Sequence, residues 1–392
     1  MKAWVKLLVV FGLVWLGNVC LGHGESKPVA PKWKIDLNDK FGFQAFDRPV
    51  TFRWSLHQNV VFLSPDKLLV YQVNRSRTPA QLSPRDASGG GGNFILDARI
   101  LSTQDGREIR DLRLTTNADS SEILPTRQGR FIVRTGDILY LYSATFEQMA
   151  SKALPLNRRV REENWQMGVS PSGAEIILVH NQVFKRDAIS PTSAVEKATA
   201  DIEVLNEETL QVMKKFSVPW FIASWSAGEH LLVSSKPSPV AESSTFGLLD
   251  FDGNWSPLLF AWYSPMQPCA YLARAIDARL FVTYGCGDLY VFPQNGQKIF
   301  SLKSAAKEFV GSVKSSENNL AVQVERHLTL VDNRGNVPIA MTKPLRIDVY
   351  DIKTHKAILS VPMHGSRVHY ALAAPTLAVV EGTSLSLYQA GP

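Results

Sequence analysis

The sequence is poor in cysteine and has no concentrated stripe of positive charge. Three of its 392 residues are cysteine, and the excess of six Lys and Arg over Asp and Glu is scattered along the chain. The densest basic run, Arg158, Arg159 and Arg161, is followed at once by Glu162 and Glu163. A nucleic-acid groove needs clustered cations that displace counterions from phosphates. We therefore expect no nucleic-acid partner.

Linear signatures of catalysis are also missing. The chain has no Gly-x-Ser-x-Gly elbow, no phosphate-binding loop and no Cys-His zinc pattern. Its histidines are scattered, and only His364 and His369 come near a paired spacing. The acidic pair Glu207-Glu208 is predicted to lie solvated in a turn. The sequence thus predicts no catalytic residue, no metal site and no cofactor.

Long apolar runs are absent after the N-terminus. Met1–Lys6 carries two lysines, and Leu7–Leu16 is an apolar run that is too short to span a bilayer comfortably. Small residues follow, and cleavage after Gly22 or Gly24 would complete a secretory signal peptide over residues 1–24. We expect residues 25–392 to form one exported domain, periplasmic or extracellular, without a transmembrane segment.

The cysteines fit an oxidising compartment. Cys20 lies in the leader, where lipid attachment is an alternative to cleavage, although the preceding residues match a lipid-attachment box poorly. Cys269 and Cys286 are the remaining pair. Two strands joined by a turn centred between Asp277 and Ala278 would place them opposite each other, with Cα atoms roughly 4.5–5.5 Å apart. We predict a disulfide there; two free buried thiols are the alternative.

Long helical periodicity is scarce, and short β-type runs separated by turn residues fill the chain beyond Trp33. The best helical candidates, Thr145–Ala150 and Ala194–Ala200, are brief. A four-strand unit recurs, in which a short turn joins the first two strands and a polar hairpin turn joins the last two. Asx-Gly pairs such as Asp105-Gly106 and Asp252-Gly253 mark these hairpins, because both residue types tolerate positive φ.

Seven copies of the unit can be aligned, and the last is one strand short. The copies cover residues 60–109, 122–155, 165–216, 220–260, 269–302, 309–361 and 368–388. Such a repeat predicts an all-β fold, a β-propeller of seven four-stranded blades, with six or eight blades as alternatives. Trp33–Leu37 is predicted to supply the missing strand, which would close the last blade and remove an exposed edge.

In its turns the chain resembles secreted WD-repeat-like and YVTN-type β-propellers. The matching segments are Ser64-Pro65-Asp66, Ser170-Pro171-Ser172-Gly173 and Val349-Tyr350-Asp351, although no Trp-Asp dipeptide occurs. The resemblance covers nearly all of the chain after the leader. It implies the fold and no activity, since propellers include enzymes, receptors and scaffolds alike.

Two features suggest where a ligand binds. Four connections between second and third strands are long and fall on one face, at Asn74–Asn93, Asn181–Ala200, Ser235–Ser244 and Asp332–Pro344. Drift in the length of unconstrained loops would give the same pattern. The second feature is a set of indoles expected near the mouth of the central channel. These are Trp54, Trp165, Trp220 and Trp225, which would either stack on a ligand or fill gaps between sheets.

These patterns favour an exported, non-catalytic binding or scaffold module that presents its loop-rich face to a protein, peptide or glycan. The alternative is a propeller enzyme of the quinoprotein-like dehydrogenase or metal-dependent lactonase type. Its residues would converge on the axial channel from separate blades.

Overall fold

The computed structural model describes most of the chain after residue 28. The described residues are 29–44, 57–75, 94–116, 121–155, 160–184, 198–236, 245–258, 272–276, 279–285, 288–293, 295, 297–305, 307–331, 338–365 and 367–390. The leader over residues 1–24, Cys20, Trp54, Cys269 and Cys286 lie outside these ranges, so the predictions about them stay predictions.

The described chain begins with strand β1 (Trp33–Asp36) and a short helix, α1 (Leu37–Phe41). Blade 1 contains β2 (His57–Ser64), β3 (Lys67–Arg75), β4 (Phe94–Ser102) and β5 (Glu108–Thr116). Blade 2 contains β6 (Ser121–Pro125), β7 (Phe131–Thr135), β8 (Ile138–Tyr142) and β9 (Gln148–Ala153), with a single 3₁₀ turn at Arg127–Gly129. Blade 3 contains β10 (Val160–Val169), β11 (Glu175–Phe184), β12 (Ala198–Asn206) and β13 (Val212–Val218).

The second half of the chain repeats the same order. Blade 4 contains β14 (Phe221–Ala227), β15 (Leu231–Lys236), β16 (Thr245–Leu249) and β17 (Trp255–Pro257). Blade 5 contains β18 (Leu272–Ala275), β19 (Leu280–Gly285), β20 (Asp288–Pro293) and β21 (Phe300–Lys303). Blade 6 contains β22 (Glu308–Ser316), β23 (Asn319–Val331), β24 (Pro338–Asp351) and β25 (Lys356–Pro362). Blade 7 contains β26 (Val368–Ala373), β27 (Thr376–Glu381) and β28 (Ser384–Gln389).

The missing fourth strand of blade 7 comes from the start of the described chain. Strand β1 pairs antiparallel with β28, from Trp33 opposite Leu387 to Asp36 opposite Ser384. Each of the seven sheets is therefore four-stranded and antiparallel. The structure confirms the predicted seven-bladed β-propeller and its closure, except that Leu37 begins α1 and does not end the strand.

The hydrophobic core lies between the blades. The described residues form seven buried clusters, and each joins two neighbouring blades. The cluster that joins blade 7 to blade 1 includes Leu385 and Leu387 on one side and Val60 and Leu68 on the other. Seven interfaces for seven blades make the ring continuous.

Strand position within a blade explains the sequence patterns. The third strand of blade 1, β4, alternates fully buried residues such as Leu96 and Ile100, which pack against blade 2, with half-buried residues on its other face. The outermost strand, β5, is exposed over its first half and is rich in charge. Charged residues on an outer edge discourage pairing with other chains.

Strand direction defines two faces of the ring. The turns that join first to second and third to fourth strands share one face, here called the turn face, whose longest turn covers residues 294–299. The connections from second to third strands and from blade to blade share the other, here called the connection face. Three of the connections between second and third strands are tight, and they join Thr135 to Ile138, Gly285 to Asp288 and Glu381 to Ser384.

Four local expectations from the sequence are wrong. The proposed helices at Thr145–Ala150 and Ala194–Ala200 end in strands, β9 and β12. The proposed loop at Asp332–Pro344 belongs largely to β24. Arg274 pairs with Val282 and Ala275 with Phe281, one residue away from the register on which the disulfide prediction depends. None of the described helices is long and apolar enough to span a bilayer.

Candidate functional site

The innermost strand of each blade has a free edge that faces the axis of the ring. A cavity of about 910 Å³ lies there, lined mainly by β2, β6, β10 and β14. Its size is typical of pockets that enclose a small ligand. Each of these strands belongs to a different blade and contributes a few side chains. The lining residues are therefore far apart in the sequence and form no local motif.

The lining of the channel is polar and has more basic than acidic groups. Among its described residues Glu122 is the one carboxylate, while Arg127, Arg134 and Lys314 are basic. Nη2 of Arg134 lies 3.3 Å from Oε2 of Glu122, which neutralises that pair. Arg127 in turn lies 3.5 Å from the carboxylate of Glu207. The lining therefore offers polar groups that can form hydrogen bonds with a ligand.

Tyr71 shows how the wall of the channel is fixed. Its hydroxyl donates to the carbonyl oxygen of Ser121 over 3.3 Å, which ties blade 1 to blade 2. Burial raises the pKa of Tyr71 well above its ordinary value, and the nearby Glu122 charge adds to this effect. The phenol therefore remains protonated and acts as a neutral structural donor.

Trp165 lines the cavity but is mostly buried between blades 2 and 3. It is 8% exposed and packs with Leu139 and Leu178. Its ring is stacked on that of His180, with centroids 3.9 Å apart and planes 5° from parallel. The buried Nε1 has no hydrogen-bond partner, which is a costly arrangement for an indole.

A polar row across blade 3 fixes the orientation of that stack. His180 faces Trp165 on one neighbouring strand and Asp201 on the other. Nε2 of Gln182 lies 3.2 Å from Nδ1 of His180 and donates to Asp201 over 2.8 Å. Ser217 donates to the second oxygen of Asp201 over 2.5 Å. The row holds the imidazole, and through it the indole, at one angle.

Trp225 also lines the cavity, and it belongs to the interface between blades 3 and 4. Its six-membered ring lies against the backbone of Gly168. Trp220 occupies the same interface, with its ring centroid 5.5 Å from that of Trp255, and it is not among the described lining residues. The structure therefore brings Trp165 and Trp225 to the channel and leaves Trp220 between sheets.

Sequence reasoning failed at Glu207, which was expected to be solvated. The residue is fully buried and accepts a hydrogen bond of 2.9 Å from Oγ1 of Thr126. Arg130 and Arg127 approach it to 3.4 and 3.5 Å. The carboxylate thereby joins the turn before β13 to blade 2. Glu208, the next residue, has the same side chain, so the sequence alone does not show which of the two carboxylates is buried.

The described residues contain no cluster of three or more His, Cys, Asp and Glu side chains arranged to hold a metal ion. What the channel offers is a shaped surface of indole faces, hydroxyls, amides and basic groups. Stacking and hydrogen bonding are the interactions that groups of these types can form.

Comparison with known proteins gives the fold and nothing finer. No family model and no curated protein matches the chain by sequence. Solved structures do match. The fold is that of WD-repeat-like propellers. The WD40 domain of Neurospora crassa Pan2 aligns over 93% of this chain and 95% of its own, with a TM-score of 0.50 and 8% identity.

A second match is the Pyrococcus horikoshii acylaminoacyl peptidase. It aligns over 89% of this chain with a TM-score of 0.52 and 10% identity. This chain spans only 54% of that peptidase. At such identities a shared fold carries no shared activity.

Proposed function

We propose that the chain is an exported, non-catalytic binding or scaffold module whose connection face receives a protein, peptide or glycan. One observation carries the proposal: the two faces of the ring differ greatly in the length of chain they hold. Three long segments, residues 76–93, 185–197 and 258–271, connect strands at the connection face. At the turn face the longest turn between described strands is residues 294–299. Insertions gathered on one face of a repeat fold are typical of its binding side.

The axial cavity supports the same proposal. Trp165 and Trp225 contribute indole surface to it, and its polar side chains suit the hydroxyl and amide groups of a peptide or glycan. Trp54, which lies outside the described residues, stays in the set proposed to contribute to binding, whereas Trp220 lies between sheets. In this proposal the loops capture the partner and the channel mouth accepts one of its side groups.

Export rests on the leader. N-terminal sequencing of protein recovered from the envelope or the culture medium should begin just after Gly22 or Gly24. A chain that retains Met1 and stays inside the cell would contradict export.

The binding face is tested by trimming connections. Residues 77–92 and 186–196 are replaced, singly and together, by a two-residue Asn-Gly turn, because the paired ends of β3–β4 and β11–β12 already hold the hairpins. Binding is measured on a glycan array and with a displayed peptide library that has been selected on the wild-type protein. We expect trimming to reduce binding of the selected glycans or peptides at least tenfold.

The matched control alters the opposite face. A Gly-Ser insertion in the turn at residues 250–254 should leave the same binding unchanged. Equal binding by trimmed and wild-type proteins would refute the proposed face. A stoichiometric metal ion or redox cofactor in the purified protein would instead favour the enzyme alternative.

A further inference from the structure

The axial cavity reaches the turn face of the ring. Its lining includes Pro125–Arg127, where blade 2 makes its first turn, and Ser170–Gly173, the first turn of blade 3. Because these turns join first to second strands, they lie at the inner part of the turn face. Arg127, Pro171 and Ser172 are also exposed to solvent. The cavity therefore opens between the two turns, and we name this opening, lined by Arg127, Pro171 and Ser172, the turn-face mouth.

A buried carboxylate fixes the rim of this mouth. Glu207 is fully buried, accepts a hydrogen bond of 2.9 Å from Oγ1 of Thr126 and lies 3.5 Å from Nη2 of Arg127. The side chain of Arg127 lies against Gly173, where a Cβ atom would be 2.7 Å from Cγ of the arginine. The first turns of blades 2 and 3 are therefore in contact and hold the shape of the rim without a ligand, which lowers the entropic cost of binding one.

The charged groups of the lining are already engaged. Arg127 faces Glu207 at 3.5 Å, and Arg134 faces Glu122 at 3.3 Å. Lys314 also interacts with another residue. An anionic ligand would have to displace a carboxylate to pair with either guanidinium of the described lining, and burying its charge unpaired would be costly. The charge balance therefore favours an uncharged ligand.

The other groups of the lining suit a polyhydroxylated ligand. Ser170 and Ser172 contribute hydroxyls near the mouth, and Gln166 contributes an amide deeper in the cavity. Hydroxyls and amides both donate and accept hydrogen bonds, as the hydroxyls of a sugar do. Trp225 contributes an indole, whose apolar surface can pack against C–H groups of a sugar ring.

We propose that a neutral saccharide enters through the turn-face mouth and binds in the axial cavity. The cavity volume of about 910 Å³ lies in the range of pockets that enclose small ligands. This mouth lies on the opposite face of the ring from the long connections, so the saccharide site does not depend on the partner proposed for the connection face.

Isothermal titration calorimetry with N-acetylglucosamine, cellobiose and maltose tests the proposal. We expect at least one of them to bind the wild-type protein with a dissociation constant of about 1 mM. Pro171→Trp places a bulky ring at the mouth and should weaken that binding at least tenfold. Gln104→Trp is the matched control, because Gln104 is exposed on the same face, in the outer turn between β4 and β5, and is not among the described lining residues.

Ser172→Trp is a second blocking variant, and equal unfolding midpoints of wild type and variants show that loss of binding is not loss of folding. Replacing residues 77–92 and 186–196 with Asn-Gly turns should leave saccharide binding unchanged, which separates this site from the connection face. Glucuronate, an anionic sugar, should bind no more tightly than the neutral sugars.

Four results would each overturn the proposal. The first is no binding of the three neutral saccharides at up to about 50 mM. The second is equal binding by the wild type and both blocking variants, which would place the entrance elsewhere. The third is loss of saccharide binding when the connections are trimmed, and the fourth is tighter binding of glucuronate than of every neutral sugar.

Discussion

At the scale of single residues, the junction of blades 3 and 4 depends on the lack of a side chain at Gly168. A Cβ atom there would lie 2.5 Å from Cη2 of Trp225 and 2.9 Å from Cζ3. Trp225 packs against the buried cluster shared by the two blades. A Cβ atom at Gly168 would therefore force the indole to shift from its packing against that cluster.

Gly168→Ala should therefore lower the free energy of unfolding by about 1–3 kcal/mol, the usual cost of overpacking. Urea unfolding followed by tryptophan fluorescence measures it. In a Trp225→Leu background the same substitution should cost much less, because the obstructing ring is gone. Equal costs in both backgrounds would contradict the contact.

Asp36 links pH to closure of the ring. Its Oδ1 accepts hydrogen bonds from the amides of Asn38 and Asp39, at 2.8 and 3.1 Å, and so caps α1. Its Oδ2 accepts one of 3.0 Å from Thr383. Burial opposes ionisation, but these hydrogen bonds outweigh it and lower the pKa of Asp36 below its ordinary value.

A lowered pKa in the folded state has a defined sign. The stabilisation is complete above the ordinary pKa and is lost as pH falls through the folded value. Asp36→Asn keeps a capping residue but cannot titrate, so its unfolding free energy should depend less on pH below about pH 4. Thr383→Ala should have an intermediate effect. Denaturant titrations at a series of pH values measure this. If the unfolding free energies of wild type and Asp36→Asn fall equally at low pH, the pH dependence does not come from Asp36.

At the scale of elements, the turn between β12 and β13 holds blade 2 to blade 3 through Glu207. Glu207→Gln removes the charge from a buried group that accepts from Thr126 and faces Arg130. It should cost about 1.5–3 kcal/mol, as hydrogen bonds to charged groups do. Glu208→Gln is the control, since that side chain is 56% exposed and should cost less than about 0.5 kcal/mol. Thermal unfolding compares the two, and equal losses would refute the buried tie.

Elements also show where sequence patterns stop being informative. Asp105-Gly106 was predicted as a hairpin turn, and Gly106 indeed has a φ of +69°. Turn chemistry is local, so the sequence reveals it. The end of β24 and the register of β18 with β19 depend on pairing across the sheet, and a slip of one residue leaves the turn residues unchanged. The register behind the Cys269–Cys286 prediction failed for that reason.

At the scale of the whole molecule, Trp33 fastens the closing strand to both of its neighbours. It begins the ladder with β28, and its Nε1 donates to the carbonyl oxygen of Thr103 in blade 1 over 3.0 Å. Its ring lies against Gly106. Lys40 adds a hydrogen bond of 3.0 Å to the carbonyl oxygen of Gly106. Blades 7 and 1 are therefore joined by backbone and side chain together.

Trp33→Ala should lower the free energy of unfolding by about 2–4 kcal/mol, since it removes a large packed ring. Lys34→Ala, at the exposed next position of the same strand, should change it by less than about 0.5 kcal/mol. Urea unfolding of both variants measures the difference. An unchanged midpoint for Trp33→Ala would show that ladder hydrogen bonds alone close the ring.

The repeated turns revealed the whole ring, because blade count follows from spacing. The candidate site did not follow in the same way. Asn59, Gln166, Ser224 and Lys314 reach the channel from four different blades. The alternation of apolar and polar residues along a strand distinguishes the two faces of the strand. It does not show which residues lie near the axis of the ring. Trp165 and Trp225 were found only because an indole near an inner strand is conspicuous.

Closure by β1 also sets the order of events during synthesis. The hydroxyl of Thr383 and the carboxylate of Asp36 meet across 347 positions of the chain. At the usual pace of about 5–20 residues per second, the ribosome finishes the last strand roughly 20–70 s after the first. Throughout that interval β1 lacks its pairing partner, β28. Blades 1 to 6 can form before β28 is synthesised and blade 7 closes. The segment that becomes β1 must therefore avoid pairing with other strands until the C-terminal strand β28 has been synthesised.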